Sequence, residues 1–368
     1  MGRPDRLGTT RLSGELRRMD QRDTAFFRRK VRQGAGGLPH AGSDGGDPLQ
    51  RVFFGGARPA NCVNELLAGA VDGPVRPVPT DMGTPEAAAA HVLEAARFFG
   101  ADLAGVAPLH AAFAYHTAGH ENGAAADRAG QPIELTHGWA VAMAFEMDYR
   151  RIASSPSFID AAEVGWGYAR AAMTAVSLAA YLRELGYPAR AHVVRDEQVL
   201  HIPLAVLAGL GELARNGLLI TARYGPRVRL ATVTTDLPLA PSRPMDLGVR
   251  RFCGVCLKCA AACPSRSVPS GAPVILRGAE KWAVAGDTCL DFWHAAPDRW
   301  CNCSVCIKVC PWNKPDSWWH ALAAALVGVL PWAARPLVWL DDLLFGRNPR
   351  PRIRWLGYDN RPGHDADR

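Results

Sequence analysis

The sequence predicts a mixed fold, α/β in its order of elements and α+β in class, with a cysteine-rich module toward its C-terminal end. Three observations predict it. Strand-like apolar runs alternate with helix-patterned segments over residues 81–245. Nine of the ten cysteines fall between residues 253 and 310. Helical segments resume at about 317 and continue to 346.

The 368 residues are 48% hydrophobic and 21% charged, a globular composition. Residues 1–80 read as an irregular extension, with the Gly-rich, Pro-punctuated loop QGAGGLPHAGSDGGDP inside it. Thr84-Pro85-Glu86 then gives an N-cap, a first-turn proline and a first-turn acid, and an Ala-rich helix runs from there to Phe99 and stops at Gly100. ADLAGVAPL (101–109) and LTHGWAVAMAF (135–145) read as strands. Residues 160–185 have helical periodicity and end at Gly186. ARAHVV, GLLITARYG and VRLATVTTDLPL supply further strand-like runs before residue 245. These elements predict an 81–245 core, a 246–316 cysteine module, 317–346 helices and a 347–368 tail.

The helices at 318–345 are apolar, but their longest charge-free stretch, Ala321 to Ala334, is about 14 residues. A membrane span needs roughly 20. Buried or interfacial helices are expected, so membrane association is not, although these helices leave a route to it. The formal net charge of +7, much of it arginine near the two ends, reads as a solvated basic surface. No nucleic-acid-binding signature accompanies it. The N-terminal residues are polar and Arg-rich, with no apolar stretch of the kind an export leader carries. With cysteines clustered as for metal rather than spread as a disulfide framework, a cytoplasmic location is expected.

Cys253, Cys256, Cys259 and Cys263 form C-x2-C-x2-C-x3-C-P, the bacterial ferredoxin spacing. The first three wrap one cluster, and the fourth is expected to start a helix, with Pro264 in its first turn, and to reach a second cluster. Cys303, Cys306 and Cys310-Pro311 repeat C-x2-C-x3-C-P. Cross-ligation then assigns Cys253, Cys256, Cys259 and Cys310 to one [4Fe-4S] cluster, and Cys263, Cys303 and Cys306 to another. The eighth ligand is Cys289 or Cys301. Cys301 is one residue removed from Cys303, where side chains diverge in a tight loop, so Cys289 is favoured. Structural zinc would take four thiolates in a closed site and does not explain two interlocking runs. Two clusters make an electron relay, but no G-x-G-x-x-G stands on a strand–turn–helix to receive a dinucleotide. GLGELARNG (209–217) lacks that spacing. A plain two-cluster carrier would not need the long segment that precedes the module.

Several stretches resemble the corrinoid-dependent reductive dehalogenases: CLDFWHAAPDRWCNCSVCIKVCPWNKPDSWWH, LGYPAR, IPLAVLAGLGELARNGLLITARYGPRVRLATVTTDLPL, MDLGVRRFCGVCLKCAAACPS, MDQRDTAFFRR and AARFFGADLAGVAPL. They span most of residues 19–346 in the family's order. The resemblance implies a nitroreductase-like core that binds cobalamin base-off, joined to a ferredoxin-like module with two [4Fe-4S] clusters. It also implies an upstream cysteine in the second cluster, which Cys289 matches. The implied reaction reduces an organohalide by cob(I)alamin. A tyrosine, here Tyr168 of Gly167-Tyr168, supplies the proton, steadied by Arg227 of YGPRVRL, with Arg229 the second choice. Trp139, Trp166, Trp293 and Trp300 are candidates for an aromatic pocket, with packing the simpler role for each. A separate reduced donor (ferredoxin, flavodoxin or reductase) is implied. Epoxyqueuosine reductase, a tRNA-modifying relative, shares the Cys-Pro-Trp-Asn element, and LDFWH after Cys289 is closer to the dehalogenases.

Overall fold

The computed structural model describes residues 6–33, 60, 62–119, 128–194, 196–294, 302–349, 351, 353–355 and 358–359. Its centre is a four-stranded sheet made of β1 (Leu103–Pro108), β2 (Trp139–Glu146), β3 (Ala189–His192) and β4 (Val228–Thr235). The order is β1-β2-β4-β3, and every neighbouring pair is antiparallel. β2 and β3 therefore run the same way, as a helix crossover requires, and β4 inserts between them against both. Local alternation of strand and helix is what the sequence displays. The late insertion of β4 makes the sheet antiparallel.

β2 shows why both faces are covered. Its residues alternate, so Val141, Met143 and Phe145 enter one buried cluster while Ala140, Ala142 and Ala144 enter another. The first face receives α2 (Pro85–Phe98) and α4 (Phe158–Glu184) through Val92, Ala172, Ala175, Leu178 and Leu182. The alanine face lets α5 (His201–Leu207) come close, with Leu204, Val206 and Leu207 buried against it. The approach is tight. A Cβ on Gly105 of β1 would stand 2.1 Å from the Ala208 carbonyl oxygen just past α5.

Local signals set the helix ends. The Thr84 side chain caps α2 by accepting from Ala87 N–H. Ser157 and Asp160 form a reciprocal capping box at the start of α4, and Gly186, at φ +88°, ends it. Just before α4, the short α3 (Tyr149–Ala153) turns the chain out of β2.

Three expectations change. The N-terminal segment is not wholly irregular, because it contains α1 (Ala25–Gln33). That helix packs on α8 (Gly286–His294) through an Arg28–Asp287 ion pair of 2.7 Å and an edge contact between Phe26 and Trp293. Nor does Cys263 start a helix. It is the C-cap of α7 (Lys258–Ala262), which follows α6 (Val249–Val255), and Pro264 lies in the turn after it. The two-residue spacing of the cysteines spends the helix before Cys263. GLLITARYG likewise holds only the short strand Leu219–Ile220, paired with Glu212–Leu213.

Beyond α9 (Val305–Lys308), α10 (Trp318–Val329) and α11 (Ala334–Phe345) form a helical pair. They meet the module through Val327, Ala334 and Leu337 but expose Trp318, Trp332, Trp339 and Leu343. No helix among the described residues is long and apolar enough to cross a membrane.

Candidate redox centre

Helix ends and turns deliver the cysteines. Cys253 lies in α6, Cys256 caps it, and Cys259 lies in α7. Cys289 lies in α8 and Cys306 in α9, while Cys303 precedes α9 and Cys310 follows it. Cys253, Cys256, Cys259 and Cys310 line one cavity together with Phe252, Arg215 and Trp312. Electrostatic influence divides the thiols in the same way. Burial raises the Cys310 pKa well above the usual thiol value, and Cys253, Cys259 and Cys256 raise it further. Cys303 is pushed up to about 12 by burial and then by Asp160, Cys289 and Cys263. Cys306 is raised by burial, then by Cys303, Cys259, Cys289 and Cys263, so it stands toward both groups. Cys263 differs. Burial raises it, but hydrogen bonds from Ser265 and from the N–H groups of Val268 and Ser267 carry it below its ordinary value.

A buried thiol that resists ionisation keeps its proton unless a metal takes the proton's place. Among the described residues, no three His, Cys, Asp or Glu side chains converge on a single ion position. A cubane presents a different iron to each thiolate, so its four ligands need not meet at one point. The donor set and the cysteine-lined cavity fit clusters. Cys301 and Trp300 lie outside the described residues. Cys62 is exposed and far from these groups in sequence.

The turn between α3 and α4 docks the second cysteine loop on the core. Asp160 is fully buried and accepts from Asn302 Nδ2 at 2.9 Å, and Ser155 Oγ accepts from the Ser304 N–H at 2.9 Å. Burial pushes Asp160 up to about 6, against lowering by bonds from Ser157, Ser155 and Ser304 and by the charge of Arg229. Sequence reasoning missed Asp160 and Asn302. The Asp160–Cys303 relation spans more than 140 residues, and a capping acid gives no sign of a second task.

Beside this turn opens a cleft of about 740 Å³, lined in part by Glu146, Tyr149, Glu163, Trp166, Arg170 and Arg227. Arg227 is buried, bonded to the Glu146 carboxylate and donating to the Met147 carbonyl at 3.1 Å. Tyr168 is half-buried and does not line the cleft. Arg229, not Arg227, covers its ring, with the guanidinium carbon 4.9 Å from the centroid. Gly167 makes room for this, because a Cβ there would stand 2.9 Å from Arg229 Cγ. The second choice of basic partner, Arg229, stacks on Tyr168, while Arg227 is seen against Tyr224, Glu146 and Met147. Gly167 and Arg227 nevertheless border the same residue, Met147. The buried Nε atoms of Arg227 and Arg229 have no hydrogen-bond partner among the described residues. That leaves donor capacity on both arginines. Of the tryptophans, Trp166 lines the cleft, Trp139 packs on the sheet core and Trp293 meets Phe26.

No protein-family model matches the chain. Tetrachloroethene reductive dehalogenase of Dehalobacter restrictus is 35% identical over 311 residues, covering 72% of this chain and 54% of that protein. Among solved structures, the catabolic reductive dehalogenase NpRdhA in complex with 3-bromo-4-hydroxybenzoic acid aligns with a TM-score of 0.80 at 27% identity, over 97% of this chain and 51% of that one. The chain is a homologue of the reductive dehalogenases. A second reductive dehalogenase structure, concerned with B12-dependent dehalogenation, aligns with a TM-score of 0.80 over 99% of this chain and 52% of that one. This homologue thus spans about half the length of the relatives it matches. Epoxyqueuosine reductase of Cyclobacterium marinum is a more distant relative, 30% identical over 134 residues, covering 33% of this chain and 39% of that protein.

Proposed function

We propose that the protein is an oxidoreductase that replaces a carbon–halogen bond of an organohalide by a carbon–hydrogen bond. Two electrons and one proton enter, and halide leaves. The observation that carries this reading is the gathering of Cys253, Cys256, Cys259 and Cys310 around one cavity, with Cys263, Cys289, Cys303 and Cys306 influencing one another beside it. Each quartet holds a [4Fe-4S] cluster. Together they form the ferredoxin-like module of residues 246–316, set against a nitroreductase-like core of residues 81–245. A one-electron donor of the ferredoxin, flavodoxin or reductase type feeds the clusters, in a reducing, cytoplasmic compartment.

Base-off cobalamin, held on the core, would supply the strong reductant for the carbon–halogen bond. The chain's own residues do the rest. Tyr168 delivers the proton from its hydroxyl to carbon. Arg229, stacked on the ring, compensates the negative charge the oxygen takes as that proton leaves. Arg227, fixed by Glu146, offers its free Nε to a ligand from across Met147.

Anaerobic purification with iron, sulfide and corrinoid tests the reading. About eight irons, a base-off Co(II) EPR signal and halide release from halogenated phenols under reduced viologen are expected. Corrinoid uptake without halide release, together with reduction of epoxyqueuosine in tRNA, would select the tRNA-modifying alternative. Iron uptake without corrinoid binding would leave an electron carrier.

A further inference from the structure

Loop 209–217 has no role in the proposed reaction, yet it grips the cysteine module from the core side. Gly209, at φ +73°, and Gly211 seat it tightly, since a Cβ on Gly211 would stand 2.0 Å from the Ile220 carbonyl oxygen. Glu212 is fully buried, and its carboxylate accepts from the N–H of Val249 at 3.2 Å, from the N–H of Leu247 and from the Thr9 hydroxyl. It thereby fixes the start of α6, the helix that bears Cys253.

Arg215 goes further. It is 2% exposed. Its Nε and Nη2 donate to the Cys253 carbonyl at 2.9 and 2.8 Å. Its Nη1 donates to the carbonyls of Pro269 and Gly271 at 2.8 and 2.9 Å. The guanidinium lies over Trp282, 4.6 Å from the ring centroid. All the hydrogen-bond partners found for Arg215 among the described residues are carbonyls, and no carboxylate pairs with it there. The nearby Lys258 contrasts with it, being neutralised by Asp341 and by Asp342 at 2.7 Å. Arg215 is thus a buried, unpaired cation that lines the same cavity as Cys253, Cys256, Cys259 and Cys310.

A buried charge without a counterion is strongly unfavourable unless something anionic stands beside it. Four thiolates around an iron–sulfur cluster are that anion. The cluster gains one electron and no proton on reduction, so its negative charge grows by one. A fixed cation at short range in a poorly screening interior stabilises the reduced form more than the oxidised form. The second quartet has the opposite neighbour, the buried carboxyl of Asp160 acting on Cys303.

We propose that Arg215 is a positioning residue that raises the reduction potential of the first cluster selectively and makes it the easier of the two to reduce. This rests on the two-cluster reading above. The test is a mediated EPR redox titration of iron- and sulfide-reconstituted protein, which needs no corrinoid and no turnover. Each cluster takes one electron from the dithionite-reduced mediators. Arg215→Gln is expected to make one cluster at least tenfold harder to reduce, about 59 mV for one electron, and to leave the other unmoved. Arg215→Lys keeps the charge but loses the fork, and is expected to recover most of that shift. Wild-type midpoints in both variants would overturn the proposal, as would an equal shift of both clusters or a lysine variant as low as the glutamine one. If the glutamine variant fails to load, loss of one cluster with the other at its wild-type midpoint supports the assignment, and joint loss of both overturns it. A wild-type chain that takes up no iron would instead sink the cluster reading itself.

Discussion

Tyr168 shows how one glycine decides what a residue can do. Gly167 lets Arg229 pass over the phenol ring, and the next position on α4 then carries a hydroxyl beside a fixed cation. If this hydroxyl is the proton donor, Tyr168→Phe should lower halide release by about 10²–10⁴-fold, the usual worth of a positioned acid. Iron content and cluster EPR should stay at wild-type values. Unchanged turnover would remove Tyr168 from the reaction. Arg229→Ala should slow turnover too, and a wild-type rate in that variant would show the stacked cation to be packing only. The cysteines make a similar residue-level claim. On the two-cluster proposal Cys289 of α8 supplies one ligand to one cluster, so Cys289→Ala should halve the iron bound, and Cys301→Ala should leave the iron unchanged. Full iron loading of Cys289→Ala would move the eighth ligand elsewhere. The cysteine spacing was legible because ligation is a local rule with a fixed count. The partner of Tyr168 was not, because Arg227 and Arg229 stand two residues apart on one strand run, and only the packing of α4 decides which reaches the ring.

The elements of the core carry a titration that the sequence does not advertise. His192 of β3 is fully buried. Its Nδ1 accepts from the Gln198 N–H at 3.2 Å, so the proton is on Nε2, which donates to Thr234 Oγ1 at 2.9 Å. His201 at the head of α5 meets Thr232 Oγ1 at 2.9 Å. Burial, with Arg190 added for His192, holds both histidines below their ordinary 6.5. Below about pH 6.5 the unfolded chain binds protons there that the native chain refuses. The stability these sites contribute is therefore complete above that pH and is lost as pH falls through it. Each histidine removes up to about 1.4 kcal/mol per pH unit. Denaturant midpoints between pH 7.5 and 5.5 should fall steeply in wild type and less steeply in His192→Gln. Identical slopes would mean that the strand tolerates the charge. Alanine alternating with larger apolar residues in β2, the Thr84 cap of α2 and the Gly186 stop of α4 announced those elements, because period and capping are local. The pairing of His192 with Thr234 depends on β4 entering the sheet between β2 and β3, and nothing local foretells that.

At the scale of the molecule, buried polar contacts tie module and core beside the apolar clusters around Ile220 and Ile307. Glu212, Arg215 and Asp160 reach the cysteine loops from the core, and α1 braces the helix of Cys289. The sequence showed that a cysteine module exists and which thiols its spacing groups together. It did not show these ties, which join residues far apart along the chain. The helical pair at the C-terminal end is held by one such tie. Asp341 of α11 pairs with Lys258 of α7 and, at 2.5 Å, with Lys314, and the side chains of Asp341 and Lys258 are each 7% exposed. Burial alone would favour neutral Lys258, but its bonds to Asp341 and Asp342 outweigh that and raise it above its usual value. Removing Asp341 leaves Lys258 with Asp342 and takes from Lys314 the carboxylate it pairs with, in a place that screens poorly. Breaking a buried pair in this way costs about 3–5 kcal/mol, far more than an exposed pair is worth. Asp341→Asn should accordingly lower the urea midpoint by that order, and Asp342→Asn, at 25% exposure, by less. Tryptophan emission reads the change directly, since Trp339 stands on α11 and Trp319 stacks near Phe345. An Asp341→Asn protein within about 0.5 kcal/mol of wild type would show that the helical pair is held by its apolar contacts to Phe252 and Cys256 instead.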